Sequence, residues 1–158
     1  MAVTVRRATR DDARTIAEFA YKLVEQHRSY DPVRFSHLGD LDGMAWFYGG
    51  QTEAKNAAVF VAEMDGEVVG FAYLEYQSRN YVDLAESSVR LHDIFVDERG
   101  RGSGAGKKLI EAAIEESKRF KAAKILLSVA AKNTFAREFF EHRGFRTTMY
   151  EMMLELPG

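Results

Sequence analysis

The chain has 158 residues, of which 46% are hydrophobic and 29% charged, and its formal net charge is −2 at pH 7. This length and composition predict one globular domain, residues 1–158. The absence of cysteine excludes thiol catalysis, thiolate metal sites and disulfides, and the small net charge excludes an overall field that would bind nucleic acid or an anionic membrane.

The N-terminal segment predicts a strand followed by a helix. Val3–Arg7 alternates like a short strand, and Thr9 and Asp12 stand at the spacing of a helix-capping box. Apolar residues at helical spacing then predict a helix that ends near Tyr30. Because the N-terminus lacks the apolar core of a signal peptide, and no apolar run approaches the ~20 residues that cross a bilayer, we expect a cytoplasmic protein without a membrane partner.

The middle of the chain predicts a second helix and a β-hairpin. A weaker helical pattern lies within Leu38–Tyr48. Ala57–Gln77 is rich in β-branched and aromatic residues around Asp65-Gly66, a pair that favours a tight turn between antiparallel strands. The polar stretch Ser78–Glu86 is predicted to be a loop.

The C-terminal half alternates between strand and helix patterns, with Asn133 as the predicted cap of the last helix and Gly144 as its stop. Its predicted elements are a strand at Val89–Val96, a helix at Lys107–Phe120, a strand at Lys124–Ala131, a helix from Asn133 through His142 and a strand or hairpin arm at Phe145–Leu156. The whole order predicts an α/β (α+β) fold around one mixed, mostly antiparallel sheet.

Four glycines, at positions 100, 102, 104 and 106, lie between a predicted strand and a predicted helix. Glycines let backbone N–H groups approach a ligand, and a helix N-terminus adds partial positive charge, so this loop favours a phosphate group. A Walker motif fails because Arg101 and Lys108 occupy positions that require glycine and Ser or Thr. A Rossmann motif is met only formally, whereas the pattern Arg-x-x-Gly-x-Gly is satisfied by Arg101, Gly104 and Gly106.

The segment LHDIFVDERGRGSGAGKKLIEAA resembles the acetyl-CoA signature of the GNAT acetyltransferases, and N-x-x-A-x-x-F-F-E-x-x-G-F, from Asn133 to Phe145, resembles the second motif of that family. The N-terminal RRATRDD and the element order agree as well, so the resemblance spans nearly the whole chain. It implies the GNAT fold, a sheet that splays at the acetyl-CoA site and is flanked by about four helices. It also implies acetyl-CoA as cosubstrate.

The resemblance further implies which residues bind acetyl-CoA. The backbone of Ile94, Phe95 and Val96 would pair with the pantetheine arm as an added strand. The pyrophosphate would lie on the N–H groups of the loop, and Asn133 would contact the pantetheine or the thioester. The full set is Ile94, Phe95, Val96, Arg101, Gly102, Ser103, Gly104, Ala105, Gly106, Lys107, Asn133 and Phe140.

Acetyl transfer to an amine needs a base, because a lysine-like amine of pKa ≈ 10.4 is neutral in only roughly one molecule in a few thousand at pH 7. Strand alternation predicts that His92 shares a face with Ile94 and Val96, and that Asp93, a weaker candidate, points to the opposite face. His92 suits base catalysis at neutral pH. It also occupies the place of a proton-path histidine in the arylalkylamine N-acetyltransferases, to which this strand is similar. A half-buried histidine without a catalytic role is the alternative.

The position of the usual GNAT acid, a tyrosine seven residues after the asparagine of the second motif, is occupied here by Phe140. Water, or another hydroxyl such as that of Tyr150, would then protonate the departing thiolate. A packing role for Tyr150 is the alternative.

The acceptor site is expected in the variable parts of the chain, with Tyr30, Phe35 and Tyr81 as substrate-binding candidates near Trp46, Tyr48 and Asp83. Aromatic residues with scattered acids suit a cationic amine, although the same residues could pack or form a dimer face. His27, His37, His92 and His142 show no metal-ligand spacing, so no metal site is predicted.

The interpretation is an acetyl-CoA-dependent N-acetyltransferase that acts on a primary amine, by direct transfer in a ternary complex because no cysteine could carry the acetyl group. A small-molecule acceptor is expected. The alternatives are a protein or peptide N-acetyltransferase, a non-catalytic acyl-CoA sensor and, less favoured, a Rossmann-like nucleotide-binding module. A homodimer is compatible with the resemblance.

Overall fold

The computed structural model describes residues 2–36, 39–82 and 84–158, so His37, Asp83 and Leu38 of the predicted second helix lie outside the described residues. Its strands and helices are β1 (Val3–Arg7), α1 (Ala13–Tyr30), α2 (Leu41–Gln51), β2 (Ala57–Met64), β3 (Glu67–Asn80), β4 (Ala85–Val96), α3 (Ala105–Arg119), β5 (Lys124–Leu126) and α4 (Thr134–Glu141). Short 3₁₀ turns precede α1 and follow β4.

The chain divides into two compact units, which are described separately. The first, called the sheet unit, comprises Met1–Leu23 and Gly39–Ser128 and contains all five strands. The second unit comprises Val24–Leu38 and Val129–Gly158 and contains α4 together with the last turns of α1. The single-domain organisation stays a prediction.

The five strands form one sheet in the order β1-β2-β3-β4-β5. Neighbouring strands are antiparallel except β4 and β5, which are parallel. One sheet face packs against the first turns of α1 and against α2, with Ile16, Phe19 and Tyr48 buried among strand residues such as Val59 and Phe71. The strand residues that alternate with Val59 and Phe71 point to the other face of the sheet, where α3 packs with its own apolar side. The mixed, mostly antiparallel sheet and the four α-helices confirm the predicted fold class.

The local signals at the start of α1 and in the hairpin are confirmed. The Thr9 N–H donates to the Asp12 carboxylate over 2.8 Å, and the Arg6 guanidinium binds both oxygens of that carboxylate. Asp65 and Gly66 have φ values of 54° and 79°, the left-handed pair that a two-residue hairpin turn needs.

Three predicted boundaries are wrong, two of them in the sheet and one in a helix. The predicted loop Ser78–Glu86 is mostly strand, because β3 runs to Asn80 and β4 begins at Ala85. Arg79 lies opposite Glu86 in this ladder and pairs with it over 3.1 Å, so charged side chains extend the strands beyond the core. The second helix continues past Tyr48 to Gln51, and β5 pairs over three residues only.

The predicted terminal strand Phe145–Leu156 is not a strand within the described residues. Its alternating pattern requires a neighbouring strand, and no strand of the described chain pairs with it. Several of its apolar side chains are exposed, among them Met152 and Leu154. No helix in the described part of the chain has the length and apolar character needed to cross a membrane.

Candidate active site

The parallel strands β4 and β5 separate before β4 ends. Their pairing covers only Ser88–Arg90 against Lys124–Leu126, whereas β4 continues to Val96. One edge of the segment 91–96 therefore has no strand beside it among the described residues. This is the predicted splay, and it leaves an edge on which an extended ligand segment can add as a strand.

The glycine loop follows β4 and ends at the first residue of α3. Gly102 and Gly104 have φ values of 77° and 89°, a conformation that favours glycine. Gly104 is the N-cap of α3 and has no side chain to accept from the first turn, so the N–H groups of Gly106 and Lys107 have no partner within the described residues. Free N–H groups at a helix N-terminus form an anion site.

The space beside Gly102 and Gly104 is open. A Cβ added at Gly102 or Gly104 would meet no atom within 4 Å, so backbone conformation and not crowding selects glycine here. Lys107 is exposed beside the open N–H groups. Lys108 differs, because its Nζ donates to the carbonyl oxygen of Val3 over 2.7 Å.

Asp97 holds the start of this loop, a role that the sequence analysis missed. Its carboxylate is buried and accepts from Lys22 and from Arg99, each over 3.0 Å, while its own N–H donates to the carbonyl of Val69. Burial raises the pKa of Asp97, but the hydrogen bonds from Lys22 and Arg99 outweigh burial and lower it overall. The carboxylate stays charged and fixes the turn that leads into the glycines.

A β-bulge at His92 corrects the predicted faces of β4. Tyr73 of β3 lies opposite Asp93, and the next residue, Leu74, lies opposite Leu91, so His92 is an extra residue with no opposite partner. The His92 ring stacks on Tyr73 with centroids 5.1 Å apart. His92 and Asp93 therefore face the same side of the sheet, and the prediction that they point to opposite faces is wrong because strict alternation fails at a bulge.

His92 lies in a polar and aromatic setting that keeps part of its ring accessible. Its side chain is 34% exposed, and its Nε2 lies 3.4 Å from Oε1 of Glu75. Burial, together with the charges of Glu75 and Asp93, raises the pKa of Tyr73 to about 12, so the phenol beneath the ring stays neutral at ordinary pH. The exposed part of the His92 imidazole can therefore accept a proton, and the Glu75 carboxylate lies beside the ring.

Asp93 is fixed by Tyr48, a residue of α2 that is 8% exposed. The Tyr48 hydroxyl donates to Oδ2 of Asp93 over 2.7 Å. Burial, followed by the charge of Asp93, raises the pKa of this phenol well above its usual range. Nothing in the local sequence indicates this pair, because its two residues are 45 positions apart and only tertiary packing brings them together.

The second unit contains three of the predicted reaction residues. Asn133 is the cap of α4, since its Oδ1 accepts from the N–H of Ala136 over 3.0 Å; its amide NH₂ remains for another acceptor. Phe140 is 7% exposed and makes edge-on ring contacts with Phe139 and Phe145. Tyr150 is 86% exposed.

The three predicted acceptor residues are divided between the units. Tyr30 and Phe35 belong to the second unit, where the Tyr30 hydroxyl accepts from Gln26 and the ring of Phe35 contacts His27. Tyr81 belongs to the sheet unit and is 78% exposed. The roles of all three stay predictions. Among the described residues, no group of three or more His, Asp or Glu could hold a metal ion.

Comparison with known families identifies the family of this chain. A model of the acetyltransferase (GNAT) family matches residues 19–145. The chain belongs to the GNAT acetyltransferase family. The matched range includes β4, the glycine loop, α3 and α4, which are the elements that carry both motifs.

Three relatives of this GNAT chain place it among proteins named N-acetyltransferases. It is 29% identical to an uncharacterized N-acetyltransferase of Bacillus subtilis over 158 residues, which are 99% of each chain. It is 29% identical to one of Methanocaldococcus jannaschii over 90% of its own length but 60% of that relative's length. A Bacillus subtilis spermine/spermidine N(1)-acetyltransferase is 32% identical over 83 residues, 52% of this chain and 55% of that protein.

A solved structure supports the GNAT fold. An aminoglycoside N-acetyltransferase in complex with CoA has a TM-score of 0.78, with 20% identity over 98% of this chain and 95% of that one.

Proposed function

We propose that this GNAT protein transfers an acetyl group from acetyl-CoA to a primary amine of a small molecule, directly in a ternary complex. One observation carries the proposal: among the described residues, the end of β4 has an edge without a neighbouring strand, and it leads directly into the glycine loop. In that loop Gly102 and Gly104 have positive φ, and no side chain caps the start of α3. The names of two compared proteins, for spermine/spermidine and for aminoglycosides, support a small-molecule acceptor. The proposal includes a cytoplasmic location and a homodimer, which fractionation and sedimentation would test.

Acetyl-CoA supplies a thioester carbonyl, and this chain's residues supply binding, polarisation and proton removal. The loop from Arg101 to Gly106, with the open N–H groups of Gly106 and Lys107 at the start of α3, binds the pyrophosphate, and the Ile94–Val96 edge binds the pantetheine arm. A backbone N–H near Phe95 or Val96 polarises the carbonyl. His92 takes the proton of the attacking amine.

Proton return to the sulfur is assigned to Tyr150 or to water, because Phe140 has no hydroxyl. Asn133 contacts the pantetheine or thioester through its remaining NH₂, and Phe140 provides apolar contact. Tyr30, Phe35 and Tyr81 are proposed to contact the acceptor.

Thermal unfolding with acetyl-CoA, coenzyme A, NAD and ATP tests the proposal. A ligand at a hundred times its Kd adds about 2.7 kcal/mol to the free energy of unfolding, so we expect acetyl-CoA to raise Tm by about 5–10 °C. Thiol release should follow on addition of some amines. Stabilisation by acetyl-CoA without release on any amine or peptide would indicate a sensor, release on peptides alone would indicate a peptide acetyltransferase, and stabilisation by NAD alone would contradict acetyl-CoA binding.

Replacing Phe140 with tyrosine restores the residue that the family usually has at this position. We expect kcat not to fall, because the new hydroxyl adds an acid candidate. Steady-state kinetics with the preferred amine checks this. A loss of activity or folding would instead show that the Phe139 and Phe145 contacts of Phe140 require an unmodified ring.

A further inference from the structure

Packing within the sheet unit holds Tyr48, the hydrogen-bond donor to Asp93, in place. The Tyr48 ring packs edge-on against Phe47, Phe71 and Tyr73, with centroids 5.2 to 5.8 Å apart. A phenol fixed on three sides can direct its O–H only within a narrow range. Its 2.7 Å hydrogen bond therefore restricts where the Asp93 carboxylate lies.

The bulge brings this carboxylate to the same face as the proposed base. Asp93 follows His92 directly and lies opposite Tyr73, on whose ring His92 stacks. An anion and a histidine thus occupy adjacent positions, one and two residues before the segment Ile94–Val96 that is proposed to bind the thioester arm. An acceptor whose amine reaches His92 therefore has the carboxylate of the next residue on the same face of the sheet.

The charge of Asp93 suits a group that stays cationic during the reaction. The attacking nitrogen must lose its proton, and a carboxylate ion beside that nitrogen would stabilise its ammonium form and oppose the loss. A second ammonium on the acceptor stays charged throughout the reaction, from substrate binding to product release. A fixed carboxylate stabilises that second ammonium throughout.

Resting on the proposed function, we propose that Asp93 binds a second ammonium group of the acceptor and that Tyr48 is the positioning residue for Asp93. The substrate class is then diamines and polyamines in preference to monoamines of equal length. Tyr48 acts only through Asp93.

The test compares kcat/KM for butane-1,4-diamine with kcat/KM for butylamine, since the two differ only in the second ammonium. Wild-type protein should prefer the diamine at least about tenfold. Asp93→Asn keeps the side-chain shape and an acceptor for Tyr48 but removes the charge. It should lower the diamine-to-monoamine ratio about 10- to 100-fold, mainly through KM of the diamine. Tyr48→Phe should lower the ratio by a smaller factor.

Asp42→Asn is the matched control, because Asp42 is an exposed carboxylate of α2, the helix that carries Tyr48. Asp42 pairs with Arg14, and its loss changes the net charge equally. Its ratio should equal that of the wild type. The rise in Tm with acetyl-CoA verifies that each variant is folded.

The inference is overturned if wild-type protein acetylates both amines equally, a result that needs no variant, or if Asp93→Asn keeps the wild-type ratio. It is also overturned if Asp42→Asn lowers the ratio as much as Asp93→Asn, since overall charge would then explain the preference. Failure of the proposed function looks different, because wild-type protein would then show no stabilisation by acetyl-CoA and no thiol release with either amine.

Discussion

Replacing His92 with glutamine is expected to lower kcat about 10²- to 10⁴-fold, the usual contribution of a positioned general base. Glutamine can still form hydrogen bonds at this site, but it takes up no proton near neutral pH. Because only a neutral imidazole can take the proton of the amine, the acidic limb of the kcat/KM profile should disappear in the variant. Rates of thiol release measured from pH 5 to 9 would check both expectations.

His142→Gln provides a matched control for this substitution. His142 is an exposed histidine at the end of α4, with its Nδ1 2.7 Å from the carbonyl oxygen of Glu138. Its replacement should leave kcat and the pH profile unchanged. If His92→Gln loses less than about tenfold and keeps the acidic limb, His92 is a packing residue of the bulge, and the base must be sought elsewhere.

Much of the fold follows from local signals in the sequence. The Thr9–Asp12 capping box, the Asp65-Gly66 turn and the Asn133 cap depend on residues within a few positions of one another, and all three are confirmed. Strand lengths depend on partners far along the chain. The Arg79–Glu86 pairing lengthens β3 and β4 where the local sequence favours a loop, and the alternation of Phe145–Leu156 has no partner among the described strands.

The candidate site shows the same division between local and long-range causes. The glycine loop could be predicted because positive φ values and an open helix N-terminus require residue types that are visible in sequence. The bulge at His92 could not, because an extra residue in one strand is defined only against the register of its neighbour. Strict alternation therefore separated His92 from Asp93. The pairing of Asp93 with Tyr48 has no local signal either, because it joins residues 45 positions apart.

Gly70→Ala is expected to lower the free energy of unfolding by about 1–3 kcal/mol and to lower Tm by several degrees. Gly70 lies in β3 opposite Val96, and a Cβ there would lie 2.6 Å from the carbonyl oxygen of Phe95. The strands must move apart, because the obstructing atom belongs to the backbone and cannot rotate away. The displaced segment is the one proposed to bind the pantetheine arm, so the Kd for acetyl-CoA should rise as well.

Urea unfolding and calorimetric titration with acetyl-CoA measure these two effects, and Gly50→Ala is their control. Gly50 lies near the end of α2, where an added Cβ meets no atom within 4 Å. Alanine favours a helix over glycine, so this variant should match or exceed wild-type stability by up to about 1 kcal/mol and bind acetyl-CoA normally. Equal stability and equal affinity in Gly70→Ala would contradict the close approach of β3 to β4. Reduced stability with unchanged affinity would instead separate this segment from the acetyl-CoA site, since the end of β4 would then have moved without affecting the ligand.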